Sequence, residues 1–325
     1  MHLNIRQTLI TLALFTVAML TLAACAPRET LPPESKGKII IVTTIFPLAD
    51  WARNVGGDRV YVQALLPPGA SPHTFDPGPR ERRLISHSSL FLKAGLHMDD
   101  WGGSLAAGDH KGPQLLSIGD KLLDAGVLPD VSSLEKGTSS ISAGDEGHSH
   151  EHGTNPHFWL DPELAIKSVE IIRDALSSAD PQGAANYKAN AQAYIATLKQ
   201  LNTDLMTTLE PIAGSGLVTY HNAWPYFARR YHLKIVAVIE EYAGKTPSEK
   251  YIRGVTDELK RQHLRTIFYE PQLSPGVAKI IAGEVGGDVQ MLDPYGTEND
   301  PQRGTYLDVM RYNAETLKTA FTVRN

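Results

Sequence analysis

The sequence predicts an α/β protein of two lobes, each with a mainly parallel β-sheet flanked by helices, joined by one long rigid α-helix. Three observations support this fold class. Strand-type and helix-type runs alternate along the chain, the second half repeats the element order of the first, and an uninterrupted helical pattern separates the halves. Because alternating strands and helices are connected by right-handed crossovers, their strands are expected to run parallel.

The first half contains four strand-type runs and three helix-type runs. Residues 38–46 (KIIIVTTIF) are largely β-branched and almost continuously apolar, which is typical of a strand covered on both faces. The other predicted strands are residues 60–66, 90–94 and 115–118, and the predicted helices are residues 48–55, 80–88 and 163–177.

The chain between the halves has no proline from residue 182 to residue 209 and only one glycine. Its apolar side chains recur at intervals of three and four residues, the spacing of one helix face. They are Tyr187, Ala191, Tyr194, Leu198, Leu201, Leu205 and Leu209. At about 1.5 Å per residue this helix would be roughly 40 Å long, so we expect a stiff spine between the lobes.

The second half predicts strands at residues 217–221, 233–239, 266–270 and 288–292. Its predicted helices are residues 223–231, 248–262, 275–285 and 305–321. The two halves share an element order without repeating residues. We therefore expect a first lobe of residues 38–180, a linking helix of residues 181–210 and a second lobe of residues 211–325.

The N-terminus is typical of a bacterial lipoprotein signal. An apolar run follows Arg6 and ends at Leu22-Ala23-Ala24-Cys25; at about 15 residues it is short for a membrane span, which needs roughly 20. We interpret residues 1–24 as a signal peptide, Cys25 as the lipid attachment site, and residues 25–37 as a flexible tether. Cys25 is the only cysteine, so a metal site in the folded part must use nitrogen and oxygen ligands.

The charge of the chain limits the classes of partner that can be expected. The net charge is −5 and no stretch concentrates lysine and arginine, so nucleic acid is not expected to bind.

Hydrophobic periodicity fails over residues 121–154, which predicts a disordered loop within the first lobe. This loop alternates His148, His150 and His152 with polar and acidic residues, a composition that favours weak, auxiliary metal contact.

Three histidines and one aspartate are the candidate site residues. His73 follows the second predicted strand, His221 ends the first strand of the second lobe, and Asp293 follows the last strand. His157 lies in the proline-framed turn Asn155-Pro156-His157-Phe158-Trp159-Leu160-Asp161-Pro162. Ligands of open α/β sheets bind beyond the carboxyl ends of the strands, so we expect these side chains to face the cleft between the lobes.

Three imidazoles and one carboxylate suit a divalent transition metal. Neutral imidazole is a preferred ligand of zinc, and four nitrogen or oxygen ligands close a tetrahedral shell. Because imidazole must be neutral to ligate, binding is expected to weaken below about pH 6.5, the ordinary histidine pKa.

Several separated segments carry a family resemblance. They are SPHTFDP, NPHFWLDP, HNAWPYFARRY, FYEPQ and LDPYG, followed by GTYLDVMRYN. In this combination and order the chain resembles the zinc/manganese-specific solute-binding lipoproteins of bacterial ABC importers. The resemblance implies a metal bound between the lobes by His73, His157, His221 and Asp293, in a lipid-anchored extracytoplasmic protein that delivers the ion to a membrane permease. We expect a monomer that is not an enzyme.

Two positions depart from the family pattern. The family usually has an acidic residue where Asn155 stands, and commonly Asp-Ala-Phe-Gly where this chain has Asn222-Ala223-Trp224-Pro225. Both changes lie beside predicted ligands, so they concern the contacts that orient the imidazoles. Glu270, in FYEPQ, is expected to hydrogen-bond or pack the lobes together.

The third predicted ligand, His221, indicates which metal ion is preferred. Relatives that carry manganese often have glutamate at the position of His221, so the imidazole here favours Zn²⁺ by ligand softness. Uptake of Mn²⁺ or Fe²⁺ is the nearest alternative. A metallohydrolase and a surface adhesin are alternatives from other classes, for which the sequence offers no dedicated motif.

Overall fold

The computed structural model describes residues 32–106, 112–135, 154–240, 244 and 246–322. The predicted signal peptide, Cys25, and the histidines His148, His150 and His152 lie outside these ranges. Residues 1–37 form a unit of their own, of which the described part contains one 3-10 turn, Pro33–Ser35. Within the described ranges, every helix is too short or too polar to cross a membrane.

Two four-stranded parallel sheets form the two lobes, which confirms the predicted fold class. The first lobe contains β1 (Ile39–Thr43), β2 (Val60–Ala64), β3 (Leu90–Lys93) and β4 (Gln114–Ser117). The second contains β5 (Gly216–His221), β6 (Lys234–Glu240), β7 (Thr266–Tyr269) and β8 (Asp288–Met291). The strand orders are β2-β1-β3-β4 and β6-β5-β7-β8, so the lobes share one topology.

Eleven α-helices of the described residues accompany these strands. In the first lobe they are α1 (Phe46–Gly56), α2 (Pro79–Ser86), α3 (Asp100–Ala106), α4 (Ile118–Asp124), α5 (Ser132–Glu135) and α6 (Pro162–Ala179). The linking helix is α7 (Ala184–Leu209), and the second lobe has α8 (Pro225–Arg230), α9 (Glu249–Gln262), α10 (Gly276–Glu284) and α11 (Tyr306–Thr322).

The first strand is shorter than its apolar run predicts. β1 ends at Thr43, and the residues after Ile45 form α1. Pro47 lies in the first turn of α1, where its missing N–H costs nothing and its fixed φ suits a helix. A continuous apolar run is compatible with a strand or with a buried helix, so it does not show where β1 ends and α1 begins.

Part of the stretch expected to be irregular is helical. α4 and α5 both fall within or across the start of residues 121–154. Buried Ile118, Gly119 and Leu122 hold α4 against the first lobe, but seven residues are too few to display a clear helical period in the sequence.

The linking helix buries the predicted apolar face. Its buried residues are Tyr187, Ala191, Tyr194, Leu198, Leu201, Asn202, Leu205 and Leu209. Tyr194 Oη donates to Asp50 Oδ2 of α1 over 3.0 Å, whereas Asn202 Oδ1 accepts from Tyr231 Oη, just after α8, over 3.3 Å. One helix therefore makes polar contacts with both lobes.

The C-terminal helix returns to the first lobe. Tyr306 of α11 packs edge-on against Trp51 of α1, with ring centroids 5.2 Å apart, and its hydroxyl donates to the Trp159 carbonyl over 2.7 Å. Trp159 in turn donates its ring N–H to the Pro294 carbonyl over 2.7 Å. These buried contacts fix the turn after His157 against the segment after β8.

Candidate metal centre

Three histidine nitrogens meet between the lobes. His157 Nε2 lies 3.3 Å from His73 Nε2 and 3.2 Å from His221 Nε2. The ligand atoms of the three rings all lie within 4.8 Å of one another, and among the described residues this is the only such group of metal-ligating side chains. The three histidines predicted from separate parts of the chain are thus brought together.

His157 is oriented by the side-chain amide of Asn155. Asn155 Oδ1 accepts from the backbone N–H of His157 and from its ring Nδ1, each over 3.0 Å. With the proton on Nδ1, the neutral ring presents the lone pair of Nε2 to the cluster. The amide therefore does what an acidic residue at this position would otherwise do.

The orientation of Asn155 is itself fixed from the second lobe. Asn155 Nδ2 donates to the Asn222 carbonyl over 2.9 Å, and Tyr226 Oη donates to the Asn155 carbonyl over 3.0 Å. Because the amide nitrogen is held there, its oxygen faces His157. The turn after His157 is held by Asp161, which caps α6 and forms a two-pronged ion pair with Arg230.

His221 lies beside a fully buried carboxylate. Its Nδ1 is 2.6 Å from Glu270 Oε2, an ion-pair distance, although the ring N–H points off the line of a well-formed hydrogen bond. Glu270 also accepts from Trp224 Nε1 over 3.2 Å and from Gln272 Nε2 over 2.6 Å. Its negative charge favours the ring tautomer with the hydrogen on Nδ1 and Nε2 free for a metal, so Glu270 contacts the ligand ring as a charged neighbour.

His73 comes from the loop between β2 and α2. Trp101 of α3 donates its ring N–H to the Pro72 carbonyl over 2.9 Å and packs edge-on against Phe75 at 5.0 Å between centroids. These contacts hold the loop on both sides of His73. His73 is half-buried, whereas His157 and His221 are only 2% and 5% exposed.

Burial keeps two of the rings neutral. Loss of water, with a smaller contribution from His221, lowers the pKa of His73 to about 4. Burial, with smaller contributions from His221 and His73, lowers the pKa of His157 well below its ordinary value. For these two rings, protonation sets in well below the pH 6.5 expected from the sequence, so the rings are ready to ligate at neutral pH.

Asp293 lies outside the group of three histidines. Its Oδ1 accepts from the backbone N–H groups of Tyr295 and Gly296, each over 2.9 Å. Its Oδ2 accepts from Arg303 Nη1 over 2.8 Å. Both oxygens are therefore engaged, and its role as a fourth ligand stays a prediction.

Sequence reasoning missed Arg303. The residue is ten positions from Asp293 in a polar, turn-rich segment, and nothing in its local pattern shows which carboxylate it contacts. The position of Asn155, by contrast, was expected to concern the orientation of a ligand ring, because it departs from the family pattern beside His157. The structure adds the bonds by which the amide does this, to the backbone N–H and the ring Nδ1 of His157.

The fold and this cluster together define a class of protein. Two parallel α/β lobes on a rigid helix, with buried neutral imidazoles converging between them, form a binding protein for a divalent metal ion. A family model described as "Zinc-uptake complex component A periplasmic" matches residues 41–320, and the chain belongs to that family, ZnuA. The family resemblance expected from the sequence is thereby confirmed.

Named relatives agree with this assignment. The chain is 32% identical over 314 residues to the zinc-binding lipoprotein AdcA of Streptococcus pneumoniae strain R6, covering 95% of this chain and 60% of the relative. It is 28% identical over 327 residues to the high-affinity zinc uptake system protein ZnuA of Bacillus subtilis, covering 96% and 98%. The chain spans only 56% to 60% of the length of the AdcA proteins it matches.

A solved structure supports the fold. The structure described as "Crystal structure of ZnuA" superimposes with a TM-score of 0.72 at 26% identity, covering 87% of this chain and 99% of that chain.

Proposed function

We propose that this protein captures Zn²⁺ outside the cytoplasmic membrane and delivers it to the permease of an ABC importer. His73, His157 and His221 are the proposed ligands. Family membership and the names of the full-length relatives support the transport role, and the geometry of the three rings supports the metal.

The separation of the ring nitrogens carries the proposal. An ion bound tetrahedrally at 2.0–2.1 Å from each imidazole nitrogen places those nitrogens about 3.3 Å apart. The two Nε2–Nε2 distances to His157 are 3.3 and 3.2 Å. Two of the three nitrogen separations therefore already match the spacing that a zinc ion needs, and the third is within 4.8 Å.

The ligand set favours zinc over manganese. Imidazole nitrogen suits Zn²⁺, whereas Mn²⁺ prefers carboxylate, carbonyl and water oxygens. The one nearby carboxylate predicted as a ligand, Asp293, is engaged by Arg303. We propose that Asp293 completes the shell only when Oδ2 leaves Arg303, and that water occupies the fourth position otherwise.

The lipid anchor and the partner complete the proposal. Cleavage before Cys25 would leave that thiol to carry lipid and hold the protein at the outer face of a bacterial membrane, consistent with the lipoprotein named among its relatives. Labelling of expressing cells with radioactive palmitate should mark the wild-type chain and not Cys25→Ser. Equal labelling of both would refute the assignment of Cys25.

Zinc titration against a competing chelator tests the proposed function. We expect one tightly bound Zn²⁺ per chain, and rescue of zinc-limited growth in cells that lack their own zinc-binding component but retain a compatible permease. A chain that binds no zinc, or binds Mn²⁺ more tightly than Zn²⁺, would contradict the proposal. Ester hydrolysis by the zinc-loaded protein would favour the metallohydrolase alternative.

A further inference from the structure

Asp293, the fourth ligand implied by the family resemblance, forms an ion pair with Arg303 that is largely withdrawn from water. The side chains of Arg303 and Asp293 are 18% and 6% exposed, and Arg303 Nη1 lies 2.8 Å from Asp293 Oδ2. A buried charge that loses its partner is costly, so each group resists leaving the other. A metal ion bound at Oδ2 would lie beside the guanidinium charge, so Asp293 can serve an ion well only by leaving Arg303.

Arg303 is held in place from several sides. Its Nη2 donates to Asp300 Oδ2 over 2.7 Å, and its backbone N–H donates to Asp300 Oδ1 over 2.9 Å. Its guanidinium carbon lies 5.5 Å from the ring centroid of Tyr312, a cation–π distance. These contacts fix the guanidinium beside Asp293 even if the carboxylate moves.

Accordingly, we infer that Arg303 determines metal specificity, by competing with the bound ion for the Asp293 carboxylate and so disfavouring Mn²⁺ relative to Zn²⁺. Zinc is served by the three imidazoles and accepts water in the remaining position. Manganese gains more from a carboxylate oxygen and so loses more when that oxygen is held by an arginine. This inference rests on the proposed function.

The ion pair borders open space, so the side chain at position 303 can be changed without a steric clash. Asp293 and Arg303 line a cavity of about 730 Å³, whose wall also includes Gln272 of the second lobe and Arg80 of the first. A shorter, uncharged side chain at position 303 would leave Asp293 facing this space. Asp293 would keep its bonds to the Tyr295 and Gly296 N–H groups through Oδ1, with Oδ2 released.

The experiment compares Zn²⁺ and Mn²⁺ affinities of the full chain and Arg303→Gln, with free Mn²⁺ measured by electron paramagnetic resonance and Zn²⁺ by chelator competition. We expect Mn²⁺ affinity to rise about tenfold or more and Zn²⁺ affinity to rise less, so the preference for zinc narrows. Adding Asp293→Asn to Arg303→Gln should remove the gain for Mn²⁺, since the released oxygen is then gone.

Arg53→Gln is the matched control. Arg53 pairs with Glu298, five residues before Arg303, and both oxygens of Asp293 accept from other groups, so the same loss of charge should leave the zinc-to-manganese ratio unchanged. An unchanged ratio in Arg303→Gln, with thermal unfolding showing a folded protein, would overturn the inference while wild-type zinc binding stands. A similar change in both variants would assign the effect to net charge alone and also overturn it. Failure of the wild-type chain to bind zinc would instead refute the proposed function.

Discussion

The two lobes share one strand order but contribute different chemistry to the metal site. The first lobe supplies His73 and His157 from loops, and the orienting group it places on His157 is the neutral amide of Asn155. The second lobe supplies His221 from the end of β5 with a charged neighbour, Glu270 at 2.6 Å, and also carries the Asp293–Arg303 ion pair. Equal topology therefore does not imply equal electrostatics.

This difference suggests a division of roles. In the first lobe, two neutral imidazoles supply affinity, because they carry no positive charge that would repel a cation. The amide of Asn155 fixes the orientation of one of them, His157. In the second lobe, Glu270 places a negative charge beside the ligand ring, and the arginine beside Asp293 limits how many oxygens reach the ion. Affinity should thus depend on both lobes, and the choice of metal mainly on the second.

The largest effect should follow removal of the central ring. His157 Nε2 is within 3.3 Å of both other ligand nitrogens, so His157→Ala removes the central ligand and leaves two imidazoles. We expect zinc affinity to fall by more than the 10- to 100-fold typical of residues around a ligand. Chelator competition measures this loss. The control is His87→Ala, whose exposed ring contacts its own helix at the Arg83 carbonyl; a comparable loss there would disprove the assignment.

The next effect tests the charge in the second lobe. Glu270→Gln keeps the shape of the side chain and removes the negative charge beside His221 Nδ1, so zinc affinity should fall by about 10- to 100-fold. Calorimetric titration measures this loss. The matched control is Glu258→Gln, because the Glu258 carboxylate accepts from Arg261 and Gln262 of its own helix. Unaltered affinity in Glu270→Gln would remove the proposed electrostatic difference between the lobes.

The corresponding test in the first lobe should give a smaller loss. Asn155→Leu removes the acceptor for His157 Nδ1–H, but the ring stays confined by Trp159, whose centroid lies 5.2 Å away. We expect about a tenfold loss of zinc affinity, below that of Glu270→Gln in the same titration. If Asn155→Leu binds zinc more weakly than Glu270→Gln does, the amide of the first lobe contributes more to zinc affinity than the carboxylate of the second lobe, contrary to this prediction.

The pH dependence of the metal-free protein reports on the buried rings. An unfolded histidine binds a proton below about pH 6.5, whereas burial lowers the pKa of folded His73 to about 4. Between these values the unfolded chain binds more protons, so this ring destabilises the fold as pH falls, by up to roughly 3 kcal/mol.

Buried carboxyls act in the opposite direction. Burial raises the pKa of Asp50, Asp99 and Asp161, so protonation of these groups favours the folded state as pH falls. The informative quantity is therefore the difference between wild type and His73→Gln in urea unfolding at pH 7 and pH 4.5. The variant should lose less stability on acidification; an identical loss would mean that His73 is not buried as a neutral ring.

The smallest effect is expected for the histidine-bearing loop. Deletion of residues 145–152, which contain His148, His150 and His152, should change zinc affinity less than about twofold, because the three converging rings lie elsewhere. The same chelator competition checks this. A loss equal to that of His157→Ala would place a ligand in the loop.

Sequence reasoning reached the fold because long apolar patterns identify strands and helices, and because parallel strands place their carboxyl ends together. His73 and His221 could be chosen because each follows or ends a predicted strand, and His157 because prolines frame its turn. The state of Asp293 could not be predicted, because the competition from Arg303 depends on how a turn ten residues away folds back. The helix α4 was also beyond reach, since a single turn or two carries too little periodicity.

X-ray absorption at the zinc edge of the fully loaded wild-type protein tests the central claim most directly. The account predicts three imidazole nitrogens at about 2.0–2.1 Å and one further oxygen ligand, in tetrahedral geometry. Two or fewer imidazoles, or a spectrum unchanged in the residual zinc of His157→Ala, would contradict the assignment of His73, His157 and His221 as the metal site.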